Sequence, residues 1–161
     1  MTDVGWPPSR VVELGCGIGL VSIAAALAGH EVLATDYYAE ALEFARANAF
    51  RNLGHEIATR VVDWRAMPHD LGTFDVVLAS DVLYEWRYAE VVAAAIDQVL
   101  APDGRAYVAD PGRVATEAFV EACDTLSLGV TTRAERPYLA GKVRQTITVH
   151  EVARRHAKPS A

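Results

Sequence analysis

The sequence predicts an α/β fold: a doubly wound, mainly parallel seven-stranded sheet with helices on both faces and a C-terminal antiparallel hairpin. Three observations predict it. Short β-branched apolar runs alternate with helix-periodic segments along most of the 161 residues. The first run, residues 11–14, passes directly into Gly15-Cys16-Gly17-Ile18-Gly19 and then into an alanine-rich stretch, a strand-loop-helix unit. Acidic residues recur just past successive strand patterns, at Asp36, Asp63, Asp81 and Asp110, and such sheets bind ligands at their strands' carboxyl ends.

Taken in order, residues 10–14 are the first strand and 20–28 the helix after it, stopped by Gly29. Residues 31–35 are the second strand, ended by Asp36. Over 39–53, Leu42, Ala45, Ala49 and Leu53 fall at helical spacing, with Gly54 as the cap. Residues 57–62 make the third strand, ending in Asp63-Trp64, and 67–73 a loop carrying Pro68 and Gly72. The almost wholly apolar stretch 74–79 is the fourth strand, covered by helices on both faces. A helix over 88–100 leads to a turn at Pro102-Asp103-Gly104, a fifth strand over 105–109 and a helix over 115–126. Segments 129–135 and 143–149 form an edge hairpin joined by a loop over 136–142. One domain is expected over 1–152, followed by a disordered basic tail, 153–161, that contains His156 and Pro159.

Composition narrows the function classes. A net charge of −6 disfavours a nucleic-acid partner. No stretch reads as a membrane span or a secretory signal, so a cytoplasmic location is expected. Cys16 and Cys123 form neither a disulfide framework nor a metal-ligand pattern, and both read as reduced small hydrophobes. The histidines show no metal-binding spacing, so no metal is expected.

The glycine loop carries the chemistry. A dinucleotide fingerprint would place its third glycine where Leu20 stands. Glu13, two residues before Gly15, suits a cationic cofactor better than a pyrophosphate, which points to S-adenosylmethionine. Backbone groups of Gly15, Cys16, Gly17 and Gly19 would approach its amino-acid end, with Glu13 attracting the ammonium. Asp36 would accept from ribose hydroxyls, Asp63 from the adenine amino group with Trp64 lining that pocket, and Ser80 closes the fourth strand beside them. Asp81 and Tyr84, three residues apart, would share one helical turn and receive the methyl acceptor: Asp81 orienting an amine, the Tyr84 ring guiding it. Each residue also has a plain reading. The glycines suit a tight turn, the aspartates suit caps, and Trp64 and Tyr84 suit packing. Residues 110–113, Asp-Pro-Gly-Arg, read equally as a turn and as the acceptor-site rim.

With these residues in place, the chain resembles class I methyltransferases, specifically the lysine methyltransferase group called methyltransferase family 16. The resemblance rests on Val-Glu-Leu-Gly-Cys-Gly-Ile-Gly-Leu at 12–20, Thr35-Asp36, Asp63-Trp64 and the Asp-x-x-Tyr signature of Asp81 to Tyr84. Asp110-Pro111-Gly112-Arg113 is similar to the branch that methylates the electron-transfer flavoprotein β-subunit and to its bacterial relatives. The resemblance implies a Rossmann-like methyltransferase fold and N-methylation of a protein lysine. A small-molecule N- or O-methyltransferase and a non-catalytic module acting with a partner chain are the competing readings, and a nicotinamide-dependent dehydrogenase is the weaker third. A homodimer is left open. Family members carry an aromatic, Trp-Pro-containing segment before the first strand. Here nine residues precede Arg10, among them Trp6-Pro7, so that cover is expected to be missing or shortened.

Overall fold

The computed structural model describes residues 7–155. Seven strands form one sheet in the order β3-β2-β1-β4-β5-β7-β6. These are β1 (Arg10–Leu14), β2 (Glu31–Asp36), β3 (Ala58–Val61), β4 (Phe74–Ser80), β5 (Leu100–Asp110), β6 (Leu128–Ala140) and β7 (Val143–Arg154). The helices are α1 (Leu20–Leu27), α2 (Ala39–Leu53), α3 (Tyr88–Val99) and α4 (Thr116–Thr125). Strands β1 to β5 pair in parallel, and β7 pairs antiparallel with both β5 and β6.

The strand order explains the layers. The chain moves outward from β1 through β2 to β3, then returns to the other side of β1 for β4 and β5. Right-handed crossovers therefore put α1 and α2 on one face and α3 and α4 on the other. The main core lies beneath α3 and α4, where Val77, Val92, Ile96, Val108 and Phe119 are buried together. A smaller one, with Cys16, Ile23, Ala34, Leu42 and Ala45, lies beneath α1 and α2. The order reverses between β1 and β4, which opens a crevice at their carboxyl ends.

The predicted α/β architecture is present, with differences at the right-hand edge. The turn at 102–104 is absorbed into β5: Leu100 pairs with Phe74, and a register shift before Val76 lets the next residues bulge out. The expected loop 136–142 is strand except for a turn at Gly141-Lys142. Pro137 lies in β6, the edge strand, where its missing N–H need not break a ladder. Ala153 and Arg154, assigned to the tail, belong to β7, and Arg154 binds Asp97 at 2.6 Å. Residues 156–161, with His156 and Pro159, and Trp6 at the other end, lie outside the described residues. Among the described residues no helix is long and apolar enough to cross a membrane.

Candidate functional site

The glycine loop folds as three left-handed glycines in a row of alternate positions, Gly15, Gly17 and Gly19. A side chain at each would meet something different. A Cβ on Gly15 would sit 2.9 Å from the Trp64 ring, and one on Gly19 would sit 2.9 Å from the Ala45 Cβ. At Gly17 nothing lies within 4 Å. Gly15 and Gly19 thus permit packing, against Trp64 and α2 respectively, while Gly17 faces open space.

That space is a cavity of about 420 Å³ at the carboxyl ends of β1, β2 and β4, within the usual range for small-molecule sites. Its lining includes Gly15, Gly17, Asp36, Asp63, Trp64, Ser80, Asp81 and Tyr84. The fold therefore gathers, from four separate chain segments, eight residues singled out by sequence. A larger groove of about 700 Å³ runs between α3 and α4; it carries none of them and shares only Arg87 with the cavity lining.

Three predicted site residues lie elsewhere. Glu13 is 1% exposed and absent from the cavity lining. Its Oε2 accepts from the Ser22 N–H at 2.8 Å and from the Ser22 hydroxyl. The carboxylate thus faces the first turn of α1, the positive end of that helix. Burial raises the Glu13 carboxyl to about 7, against the lowering effect of Ser22. Cys16 is buried against α1 and α2, and burial pushes its thiol up to about 12. Gly19 belongs to the α1–α2 contact.

Asp36 ties the loop to the second strand. Its Oδ2 accepts from the Gly17 N–H at 2.9 Å and its Oδ1 from the Tyr38 N–H at 3.0 Å. Asp63 lies one strand further out, and the neighbouring Arg65 grips it through backbone N–H, Nε and Nη2 at 2.8 to 3.0 Å. Those hydrogen bonds lower the Asp63 carboxyl. The Arg65 guanidinium also lies 5.4 Å from the Tyr37 ring centroid, and Tyr37 meets Tyr38 edge-on at 5.0 Å. Sequence reading missed this Tyr37–Tyr38–Arg65 rim; the consecutive tyrosines just past Asp36 were the available signal. The Trp64 ring packs edge-on to Tyr88 at 5.9 Å, and its buried Nε1 has no hydrogen-bond partner among the described residues.

The acceptor end differs most from expectation. Residues 81–87 form bends and turns rather than a helical turn. Asp81 leaves β4 with φ at 57°, its N–H bonded to the Ala109 carbonyl at 2.9 Å. Its two carboxylate oxygens accept from Arg113 Nε at 2.6 Å and Nη2 at 2.8 Å. Arg113 is itself anchored, because buried Asp110 accepts from the N–H groups of Gly112 and Arg113 and from the Thr116 hydroxyl. Residues 110–113 thus serve both as a turn and as a support for Asp81. Tyr84 lies 5.0 Å from Tyr88 between ring centroids, and hydrogen bonding to Tyr88, followed by burial, raises its phenol to about 12. Tyr84 therefore stays neutral. Among the described residues no group of three His, Cys, Asp or Glu side chains is placed to hold a metal ion.

The seven-strand order and a cavity at its switch point define the class: a Rossmann-like methyltransferase sheet. Residues 12–108 match the family described as the methyltransferase domain, and the chain belongs to it. Two solved structures share the fold. One is a SAM-dependent methyltransferase from Methanosarcina mazei, with TM-score 0.76 and 14% identity over 92% of this chain and 93% of that one. The other is magnesium protoporphyrin IX methyltransferase from Synechocystis with bound SAM, with TM-score 0.73 and 19% identity over 94% and 73%. In sequence, the chain is similar to protein N-lysine methyltransferase METTL21A of Xenopus tropicalis, 39% identical over 47% of this chain and 37% of that protein. It is also similar to EEF1A lysine methyltransferase 3 of Mus musculus, 31% identical over 69% and 49%. The chain spans at most about half the length of these two relatives.

Proposed function

We propose that this chain is an S-adenosylmethionine-dependent methyltransferase that N-methylates a lysine of a protein acceptor. The observation that carries the reading is the single cavity where Gly17, Asp36, Asp63, Asp81 and Tyr84 converge at the sheet's switch point. Its residues suit the cofactor's parts. The open face of Gly17 leaves room for backbone-close approach, Asp36 has carboxylate lone pairs for a diol, and Asp63 with Trp64 offers an acceptor and a ring for adenine. Bound there, the cofactor supplies an electrophilic sulfonium methyl.

The remaining work is positional. Asp81 accepts from the acceptor nitrogen and aims it, while the Tyr84 and Tyr88 rings form an aromatic wall that attracts the ammonium and disfavours its hydration. The ammonium first releases a proton to solvent, and alignment of the freed nitrogen lone pair with the methyl then supplies most of the acceleration. The lysine methyltransferases that the chain resembles in sequence support a protein acceptor, and free, buried Cys16 and Cys123 support a cytoplasmic setting.

The test is transfer of labelled methyl from S-adenosylmethionine to lysate proteins by wild type and Asp81→Ala. Label in protein that hydrolyses to methyl-lysine, lost with Asp81→Ala, supports the reading. Label confined to metabolites would instead assign a small-molecule acceptor, and no binding of S-adenosylhomocysteine would end the proposal.

A further inference from the structure

The β6–β7 hairpin outruns the sheet. β7 pairs with β5 from Ala106↔Val152 to Asp110↔Thr148, and it runs antiparallel. Residues 143–147 therefore continue past the carboxyl end of β5, on the same edge as Gly17, Asp36 and Asp81. β6 accompanies them from Arg136↔Ile147 to Ala140↔Val143. The result is a two-stranded arm that projects about 15–20 Å, with every residue from 135 to 146 exposed. Its root lies two strand spacings, about 10 Å, from the end of β4 and Asp81.

The arm's composition is unlike the rest of the surface. It carries Arg136, Lys142 and Arg144 against a single acid, Glu135, in a chain of net charge −6. Eight arginines elsewhere sit in ion pairs, including Arg113 with Asp81 and Arg133 with Glu151. Among the described residues, none of the arm's three cations does; Arg136 donates only to the Glu135 carbonyl. Interleaved with them are Tyr138, Leu139 and Val143, exposed by 49%, 68% and 50%. The register sets Leu139 opposite Arg144 and Tyr138 opposite Gln145, so apolar and polar groups share each face. Tyr and Arg are enriched among the residues that dominate protein interfaces. An isolated ribbon of this kind is marginal in water, and a partner would stabilise it.

We propose that this arm is the docking element for the acceptor protein and that it selects an acidic segment about three to eight residues from the target lysine, the distance an extended chain covers between arm and Asp81. The proposal rests on the protein-lysine reading above and names its substrate class. Three cations and a short apolar strip suit a short acidic peptide. A phosphate backbone would draw on a broader basic field than a chain of this charge presents.

The test uses the full chain and two fluorescent peptides, each with one central lysine. One carries a glutamate block beginning a few residues from that lysine; the other has glutamine in its place. Binding is followed by anisotropy at low and high salt, for wild type and for Arg136→Glu/Lys142→Glu/Arg144→Glu, with far-UV circular dichroism and urea midpoints to verify folding. The expected result is about tenfold tighter wild-type binding of the acidic peptide at low salt, lost at high salt and lost on charge reversal. Tyr138→Ala/Leu139→Ala weakens both peptides alike. Equal affinity for the two peptides, or a preference that survives charge reversal, overturns the proposal. So does tighter binding of a labelled single-stranded RNA, or a dimer in sedimentation that charge reversal dissolves. Calorimetry with S-adenosylhomocysteine on both proteins separates the two levels. Absence of heat in wild type counts against the methyltransferase reading, whereas unchanged peptide affinity in the variant counts against the arm.

Discussion

Arg113 holds both oxygens of Asp81, Nε on Oδ1 and Nη2 on Oδ2, although 31 residues separate them in the chain. The parallel register of β4 and β5 brings them together, since Ser80 pairs with Ala109 and each residue lies just beyond its strand. Both side chains are close to half exposed, so the pair adds little to stability. On the proposed acceptor reading, its consequence is chemical. A lone carboxylate beside an acceptor ammonium raises that ammonium's pKa and keeps the nitrogen lone pair occupied. Arg113 offsets the charge, and the outer lone pairs of Asp81 remain free to accept an N–H.

Arg113→Ala is therefore expected to shift the acid limb of the kcat profile, which reports groups in the bound complex, toward higher pH by up to about one unit, with a fall in kcat of up to roughly tenfold at pH 7. Affinity for S-adenosylhomocysteine should not change. A profile that superimposes on wild type would remove Arg113 from the acceptor chemistry.

Asp36 is predicted to govern cofactor affinity and loop order together. Asp36→Asn puts an NH₂ where one carboxylate oxygen now receives the Gly17 or Tyr38 N–H, setting donor against donor. Loss of that charge-assisted bond is expected to reduce stability by about 1–3 kcal/mol. S-adenosylhomocysteine binding, measured by calorimetry, should weaken by about tenfold or more. Unaltered binding would mean the Asp36 carboxylate serves the loop alone.

Gly17 and Gly19 should separate binding from folding. Both have positive φ, so alanine is strained at either position. At Gly19 the new methyl also meets the Ala45 side chain and backbone, and a loss of about 2–4 kcal/mol in urea unfolding is expected. At Gly17 the methyl enters the cavity, so the loss should be only about 1–2 kcal/mol, with S-adenosylhomocysteine affinity falling further than at Gly19. The reverse ranking in affinity would place the ligand away from Gly17.

Much of this was legible because the relevant signals are local. The alternation of β-branched runs and helical periodicity located β1 and α2 at their observed bounds, and of the four strand-end aspartates Asp36, Asp63 and Asp81 line the crevice whereas Asp110 is buried beneath Arg113. What sequence did not show depends on chain segments meeting. The Arg113 grip needs the β4–β5 register, and nothing local to residues 110–113 names its partner. Glu13 read as a ligand residue because a strand buried on both faces gives no alternation to tell inside from outside. The overlooked signal was Ser22, the only polar side chain of α1, placed in its first turn where a buried acceptor would meet it. The long hairpin was missed because Pro137 and Gly141 look like loop residues unless the strand is known to be an edge.

Glu13 also gives the fold a pH dependence of definite sign. In the unfolded chain its carboxyl titrates near the ordinary value of about 4.3, whereas in the folded chain burial raises it to about 7. Between those values the native state holds a proton the unfolded state has released, so stability falls as pH rises through the window. The penalty is absent below the lower value, complete above the upper one, and at most about 4 kcal/mol. Glu13→Gln keeps an oxygen for Ser22 and removes the charge. Its extra N–H affects all pH values alike, so the slope is the readout. Urea unfolding at fixed ionic strength should show wild type losing stability relative to Glu13→Gln from about pH 4.5 to 7 and running parallel outside that range. Ser22→Ala should do the opposite, removing a donor that favours the carboxylate and costing more at pH 8 than at pH 4. Two parallel curves across the window would mean the Glu13 charge is fully compensated by its surroundings.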